Sequence, residues 1–142
     1  MAAKVKFEDV EVGQEVFAVP KVVKREDVKA YADASGDQNP LHQDDNFARS
    51  VGFPGIIAHG MFSMAHLTNS ISDWLGDPGA LKRIKVQFRA PVFMDETLVA
   101  KGTVSSVDPS TKTATLSVSA EVDRVGETQW AIKNSEAIVQ LS

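Results

Sequence analysis

The chain has 142 residues, of which 43% are hydrophobic and 24% are charged, and its formal net charge is −4. These values predict one globular domain spanning residues 1–142, and they exclude a general nucleic-acid binder because no positive field attracts phosphates. Cysteine is absent, which excludes disulfides, thiol nucleophiles and thiolate metal sites. No apolar run reaches the ~18 residues of a membrane span and no signal peptide is recognisable, so we expect a soluble cytoplasmic protein.

The first half of the chain predicts one strand and two helices. Residues 15–23 predict a strand, and Pro20 favours an edge position for it because proline cannot donate to a sheet ladder. Residues 25–35 predict a helix that ends at Gly36, since glycine readily adopts the positive φ of a helix end. A short helix is predicted over residues 44–51, with an N-capping aspartate at its start.

The segment from His59 to Leu75 is the longest apolar one in the chain. A helix with so little polar surface is typical of a buried central helix. The sequence Gly-Asp-Pro-Gly at residues 76–79 ends it.

After that helix the chain predicts only strands, at residues 84–88, 97–107, 113–122 and 128–141. In the first of them, alternation sends Ile84, Val86 and Phe88 towards the core and the intervening polar side chains towards solvent. One strand, helices and four consecutive strands predict an α+β fold in which an antiparallel sheet wraps around one long central helix, the hot-dog arrangement. A second copy can cover the sheet edges and the free helix face, so we expect a dimer.

The sequence YADASGDQNPLH at residues 31–42 carries the strongest functional signal. Gly36 and Pro40 make its second half non-helical, so Asp37 and His42 can converge although they lie five positions apart. A carboxylate and an imidazole are suited to hold a water between an acid and a base, and the motif therefore predicts a catalytic pair that adds or removes water. Asn39 has two open interpretations, contact with the water or substrate and an Asx turn that holds the loop.

Gly60 is the candidate for binding a carbonyl oxygen. It lies at the start of the long helix, where backbone N–H groups lack intrahelical partners and the helix dipole is positive. Glycine also lets a substrate approach the backbone closely. The alternative is simple close packing at the helix start. His59 is interpreted as a structural residue that can bond the catalytic loop.

Neither a metal nor another cofactor is expected. His59 and His66 share a helix face, but no carboxylate at a suitable spacing joins them.

A basic cluster stands out in this acidic chain, and it consists of Lys82, Arg83, Lys85 and Arg89. Lys85 and Arg89 are expected to be exposed and to dock an acidic carrier protein or the phosphates of a pantetheine carrier. The alternative interpretation is an ordinary solvated strand face.

Three motifs resemble the MaoC-like family of (R)-specific hydratases and dehydratases: DQNPLH at 37–42, AHGM at 58–61 and VQFRAPV at 86–92. The resemblance implies catalysis by the Asp/His pair of the first motif on an acyl thioester of CoA or acyl carrier protein. It also implies that Thr68 occupies a position whose hydroxyl helps to hold the catalytic groups. Which of the two catalytic residues handles the carbon-bound proton stays open.

Within this family the chain looks most like the catalytic beta subunit of the mycobacterial-type (3R)-hydroxyacyl-carrier-protein dehydratases, on its length and on residues 76–80 and 106–109. That likeness implies a heterodimer with a related hot-dog subunit and a function in fatty acid elongation. The alternatives are a homodimeric (R)-specific enoyl-CoA hydratase of degradation or polyester supply, a non-catalytic acyl-binding partner, and a thioesterase. The presence of both Asp37 and His42 argues against the non-catalytic partner.

Overall fold

The computed structural model describes residues 3–142 of the chain. Its helices and strands are β1 (Glu15–Val22), α1 (Arg25–Ser35), α2 (Asp45–Ser50), α3 (Gly60–Leu75), β2 (Leu81–Phe88), β3 (Thr97–Asp108), β4 (Thr113–Arg124) and β5 (Glu127–Gln140). Short 3-10 turns lie at residues 7–9, 40–42 and 78–80. Every predicted element is present, and the largest difference is the start of β2, which begins three residues earlier than predicted.

The five strands form one antiparallel sheet in the order β1-β3-β4-β5-β2. β1 is an edge strand, as Pro20 predicts, because this residue has no N–H to offer a further neighbour. β2 is the other edge, so both strands that flank α3 in sequence lie at opposite margins of the sheet. The helix packs on one face of this sheet, which confirms the α+β hot-dog fold.

The side chains that α3 buries lie on one stripe. Leu67, Ile71 and Leu75 are fully buried against the apolar face of the sheet, whereas Met61 is 51% exposed. The opposite face of α3 is left open, as expected, because a single sheet covers only one face of the helix. No helix within residues 3–142 combines the length and the apolar character needed to cross a bilayer.

The loop between β2 and β3 holds the start of α3 in place. Arg124 donates to both carboxylate oxygens of Glu96, at 2.7 and 2.8 Å, and to the Pro91 carbonyl at 3.0 Å. From the same loop, the Val92 carbonyl accepts from the Ala58 N–H at 2.9 Å. The segment that leads into α3 is thereby fixed to the sheet, which gives the helix N-terminus a defined position.

Candidate active site

The loop that follows α1 is shaped by its own polar side chains. α1 ends at Gly36, which has a φ of 79°. The carboxylate of Asp37 then accepts from the Asn39 N–H at 3.3 Å, and the side-chain oxygen of Asn39 accepts from the Leu41 N–H at 2.9 Å. Two successive Asx turns therefore fold residues 37–42 back on themselves. Asn39 uses its oxygen to hold the loop, and its amide nitrogen has no hydrogen-bond acceptor among the described residues.

Gln38 joins the two ends of this loop, a role that sequence reasoning missed. Its amide nitrogen donates to the Ala32 carbonyl at 3.1 Å, and its oxygen accepts from the Gln43 side chain at 2.7 Å. The only signal in the sequence is its position inside the motif, since a glutamine in a loop has no single preferred partner.

His42 has its ring fixed by a backbone carbonyl. Its Nδ1 lies 2.7 Å from the Ile57 carbonyl oxygen. Because a carbonyl can only accept, Nδ1 carries the hydrogen, and in the neutral ring Nε2 then has the lone pair. The Ile57 N–H also donates to the Leu41 carbonyl at 3.2 Å, so two hydrogen bonds join the loop to the segment before α3. The half-buried imidazole is therefore oriented as a proton acceptor through Nε2.

His59 lies next to His42 and is buried more deeply. It is only 2% exposed, and its Nε2 donates to the Asp37 carbonyl at 3.2 Å, so it bonds the loop of residues 37–42 as expected. Its ring stacks on that of His42, with centroids 3.8 Å apart and planes inclined by 24°. The Tyr31 ring covers it at 5.0 Å. Within residues 3–142, its Nδ1 is buried and has no hydrogen-bond partner.

Burial lowers the pKa of His59 below its ordinary value of 6.5, the bond to the Asp37 carbonyl opposes this, and the neighbouring His42 adds to the lowering. Below pH 6.5 the unfolded imidazole binds a proton that the folded one resists, so stability that is fully present above this pH is lost as the pH falls. We therefore expect wild type to lose more free energy of unfolding than His59→Gln when the pH drops from about 7.5 to about 5.5 in urea titrations.

The glutamine variant is a matched control because its amide keeps an N–H donor for the Asp37 carbonyl but does not titrate. Groups that titrate away from this site are common to both proteins and cancel in the comparison. Equal losses of stability in the two proteins would contradict the role of His59 as a neutral buried imidazole.

The motif residues converge on one point. One carboxylate oxygen of Asp37 and one ring nitrogen each of His42 and His59 lie within 4.8 Å of one another. A water bridging two groups at ordinary hydrogen-bond lengths of about 2.8 Å fits such a gap. In the part of the chain that the structure describes, these three residues also form the group that could hold a metal ion. Stacked imidazoles, however, direct their in-plane lone pairs side by side and not at a common centre, so the arrangement favours a water.

Beside this point lies a cavity of about 290 Å³ whose wall includes His42, Phe53, Gly60, Ser63 and Phe88. Gly60 is the first residue of α3, and within residues 3–142 neither its N–H nor that of Met61 has an acceptor. A Cβ on Gly60 would lie 3.2 Å from the Phe88 ring. Gly60, whose N–H has no acceptor among the described residues, therefore borders the same cavity as His42, and the Phe88 ring packs closely against it.

Phe88 was expected to face the core, and that expectation is wrong. The residue is 47% exposed because β2 ends there, and its ring lies against the start of α3 instead of beneath the helix. Ser63, one turn after Gly60, adds a hydroxyl to the same cavity. Neither contact has a signal in the sequence, since both depend on how the sheet margin meets the helix.

The other predicted residues lie apart from this cavity or at its rim. The Thr68 hydroxyl donates to the Ala65 carbonyl of its own helix at 3.1 Å, and Thr68 does not border the cavity. Lys85 and Arg89 are both exposed, as expected. Lys85 lies opposite Glu136 in the β2–β5 register, whereas Arg89 borders the cavity.

Comparison with known proteins gives one consistent result. The model of the MaoC like domain family matches residues 7–126. The (R)-specific enoyl-CoA hydratase of Rhodospirillum rubrum is 33% identical over 110 residues, which are 77% of this chain and 76% of that protein. The 3-hydroxybutyryl-CoA dehydratase of Methylorubrum extorquens is 32% identical over 117 residues, 82% of this chain and 74% of that protein.

Among solved structures, the (R)-hydratase from A. caviae involved in PHA biosynthesis superimposes with a TM-score of 0.84 at 28% identity, over 95% of this chain and 99% of that one. Hydratases and dehydratases of this kind are hydro-lyases. On the family match and on the similarity of these relatives along most of its length, the chain belongs to the MaoC-like family and is a hydro-lyase.

Proposed function

We propose that this protein adds water to a 2-enoyl thioester of CoA to give the (3R)-hydroxyacyl thioester, and catalyses the reverse dehydration, with Asp37 and His42 as the catalytic residues. The observation that carries the proposal is the water-sized gap between the Asp37 carboxylate and the imidazoles, beside a cavity with free backbone donors. CoA is proposed as carrier because the names of the relatives with most coverage specify CoA thioesters.

In the hydration direction, a water donates one hydrogen to the Asp37 carboxylate and the other to Nε2 of His42. As its oxygen bonds to C3 of the enoyl group, one of these acceptors takes a proton, and the electron pair of the C2–C3 double bond shifts towards the thioester oxygen. A proton from the catalytic pair then passes to C2, which restores both side chains. Dehydration follows the same steps in reverse.

The negative charge that grows on the thioester oxygen needs a donor. We place that oxygen at the N–H group of Gly60, because Gly60 borders the cavity, lies at the positive end of α3, and its N–H has no acceptor within residues 3–142. Asn39 is assigned to positioning the loop that carries Asp37 and His42, because its side-chain oxygen accepts from the Leu41 N–H. For Thr68, we propose an indirect role, because its hydroxyl is bound within α3.

A dimer is part of this proposal. The face of α3 that carries Met61 and Asn69 is exposed in the isolated chain, and β1 and β2 leave two open sheet edges. Self-association covers this surface in a homodimer. A second candidate is the catalytic beta subunit of a heterodimeric carrier-protein dehydratase, which the segments 76–80 and 106–109 favour.

The test is to incubate the purified chain with crotonyl-CoA and to analyse the product by chiral chromatography. We expect (3R)-hydroxybutyryl-CoA. Release of free CoA would indicate a thioesterase, and binding without reaction would indicate a non-catalytic acyl-binding subunit; either result would refute the proposal. Light scattering on the same sample should give the mass of a dimer. Activity that appears only after co-expression with a related subunit would favour the heterodimer.

A further inference from the structure

A second cavity, of about 320 Å³, adjoins the catalytic one. Its lining comes from the segment after β2 and from the first half of β5, and it consists of Arg89, Ala90, Gln129, Trp130, Lys133 and Asn134. Arg89 and Ala90 line both cavities. The two cavities therefore meet at Arg89 and Ala90.

The backbone makes this second cavity a defined structure and not a chance gap between side chains. The N–H groups of Arg89 and Ala90 donate to the carbonyls of Ala131 and Trp130, both at 2.9 Å. These bonds continue the β2–β5 pairing beyond the end of β2. They fix the Cα of Arg89 next to β5, so that its guanidinium group and the β5 side chains share one wall.

The second cavity is positively charged in an acidic chain. Its lining contains two cations, Arg89 and Lys133, and no carboxylate. Neither cation forms an ion pair within residues 3–142. The carboxylate opposite Trp130 in the β4–β5 register, that of Glu121, is already paired with Lys101. The positive charge is therefore not neutralised by the protein itself.

The two cations are held in place by neighbouring side chains. The ammonium group of Lys133 lies 3.9 Å from the centroid of the Trp130 ring, a cation–π contact that restricts an otherwise flexible side chain. The guanidinium group of Arg89 donates to the Gln87 side chain at 2.9 Å. Guanidinium groups match phosphate oxygens with two parallel hydrogen bonds, and lysine adds a point charge.

We propose that this cavity binds the phosphate groups of the thioester carrier, with Arg89 and Lys133 as ligands and Trp130 as the residue that positions Lys133. The inference rests on the proposed thioester function, because it is the catalytic cavity that brings the carrier arm past Arg89. Both CoA and the phosphopantetheine of a carrier protein present a phosphate ester at the end of the pantetheine arm. Of the two basic residues expected to dock the carrier, the proposal keeps Arg89 and leaves out Lys85, because Lys85 lies opposite Glu136.

The test compares Arg89→Gln/Lys133→Gln with Lys6→Gln/Lys112→Gln, which removes the same charge. Lys6 and Lys112 are exposed and lie near the end of the sheet where residues 141 and 142 pair, away from the N-terminus of α3. With crotonyl-CoA, the first variant should raise KM about tenfold with little change in kcat, and it should flatten the salt dependence of KM. The control variant should keep the wild-type KM.

Phosphate-free crotonyl-pantetheine separates phosphate binding from damage to the cavity. Its KM should be the same for wild type and for Arg89→Gln/Lys133→Gln. An equal rise in KM with this substrate, or no rise with any phosphate-bearing substrate, would overturn the proposal. Crotonyl-carrier protein shows which phosphate binds in the cavity. If KM of Arg89→Gln/Lys133→Gln rises with this substrate as well as with crotonyl-CoA, the bound phosphate is the one that both carriers share. If KM rises with crotonyl-CoA alone, the nucleotide phosphates of CoA bind there.

Calorimetry with free CoA keeps this inference separate from the catalytic one. Weaker CoA binding by Arg89→Gln/Lys133→Gln than by the control variant supports the phosphate site even if wild type hydrates no thioester. Equal CoA binding by the two variants overturns the phosphate site even if wild type is an active hydratase.

Discussion

Asp37→Asn and His42→Asn are each expected to lower kcat for crotonyl-CoA hydration by about 10²–10⁴. The asparagine at position 37 keeps an oxygen for the Asn39 N–H but removes the negative charge that accepts a hydrogen from the water. At position 42, asparagine keeps an N–H for the Ile57 carbonyl but has no basic Nε2. Both variants therefore preserve the loop while removing a proton acceptor, and steady-state kinetics with circular dichroism measures the effect.

The double variant should be scarcely slower than the slower single variant, because one water needs both groups and each loss alone disables it. Asp73→Asn is the matched control, since Asp73 is an exposed carboxylate near the far end of α3. It should retain wild-type kcat. Near-normal turnover in either single variant would rule out the assignment of this pair.

Gly60→Val is expected to lower kcat/KM by about 10² or more. A Cβ at this position meets the Phe88 ring at 3.2 Å, and we expect the two further methyl groups to block the approach to the Gly60 N–H. Gly60→Ala should have a smaller effect because its single methyl group needs only a small shift of a half-exposed ring. The series is measured as kcat/KM for crotonyl-CoA.

A second substitution distinguishes the two causes of this loss. Phe88→Ala in the Gly60→Val background removes the clash with the ring but leaves the valine in front of the N–H groups. If the thioester oxygen binds there, kcat/KM stays low in the double variant. Recovery to the wild-type value would assign the loss to displaced Phe88 alone, and it would refute the role of the Gly60 amide.

Local signals in the sequence were sufficient to predict the helices and strands of the fold. Gly36 ended α1 where predicted, Pro20 marked an edge strand, and the apolar segment 59–75 became α3 with a difference of one residue at its start. These signals act within a few residues, through backbone φ, missing donors and helical periodicity, and they are readable without tertiary structure. They do not say which side chains of the almost uniformly apolar α3 the sheet covers, so the exposure of Met61 was not predicted.

The convergence of Asp37 and His42 was also predictable, because five residues with two rigid positions can bring these side chains to one point. Contacts between distant segments were decided by the tertiary structure alone. The stacking of His59 on His42 depends on where the loop after α1 meets the start of α3. The Phe88 ring over Gly60 and the cavity between Arg89 and Lys133 depend on where the end of β2 meets α3 and β5. Strand register, strand ends and helix placement arise from packing the whole core, so no local pattern encodes them.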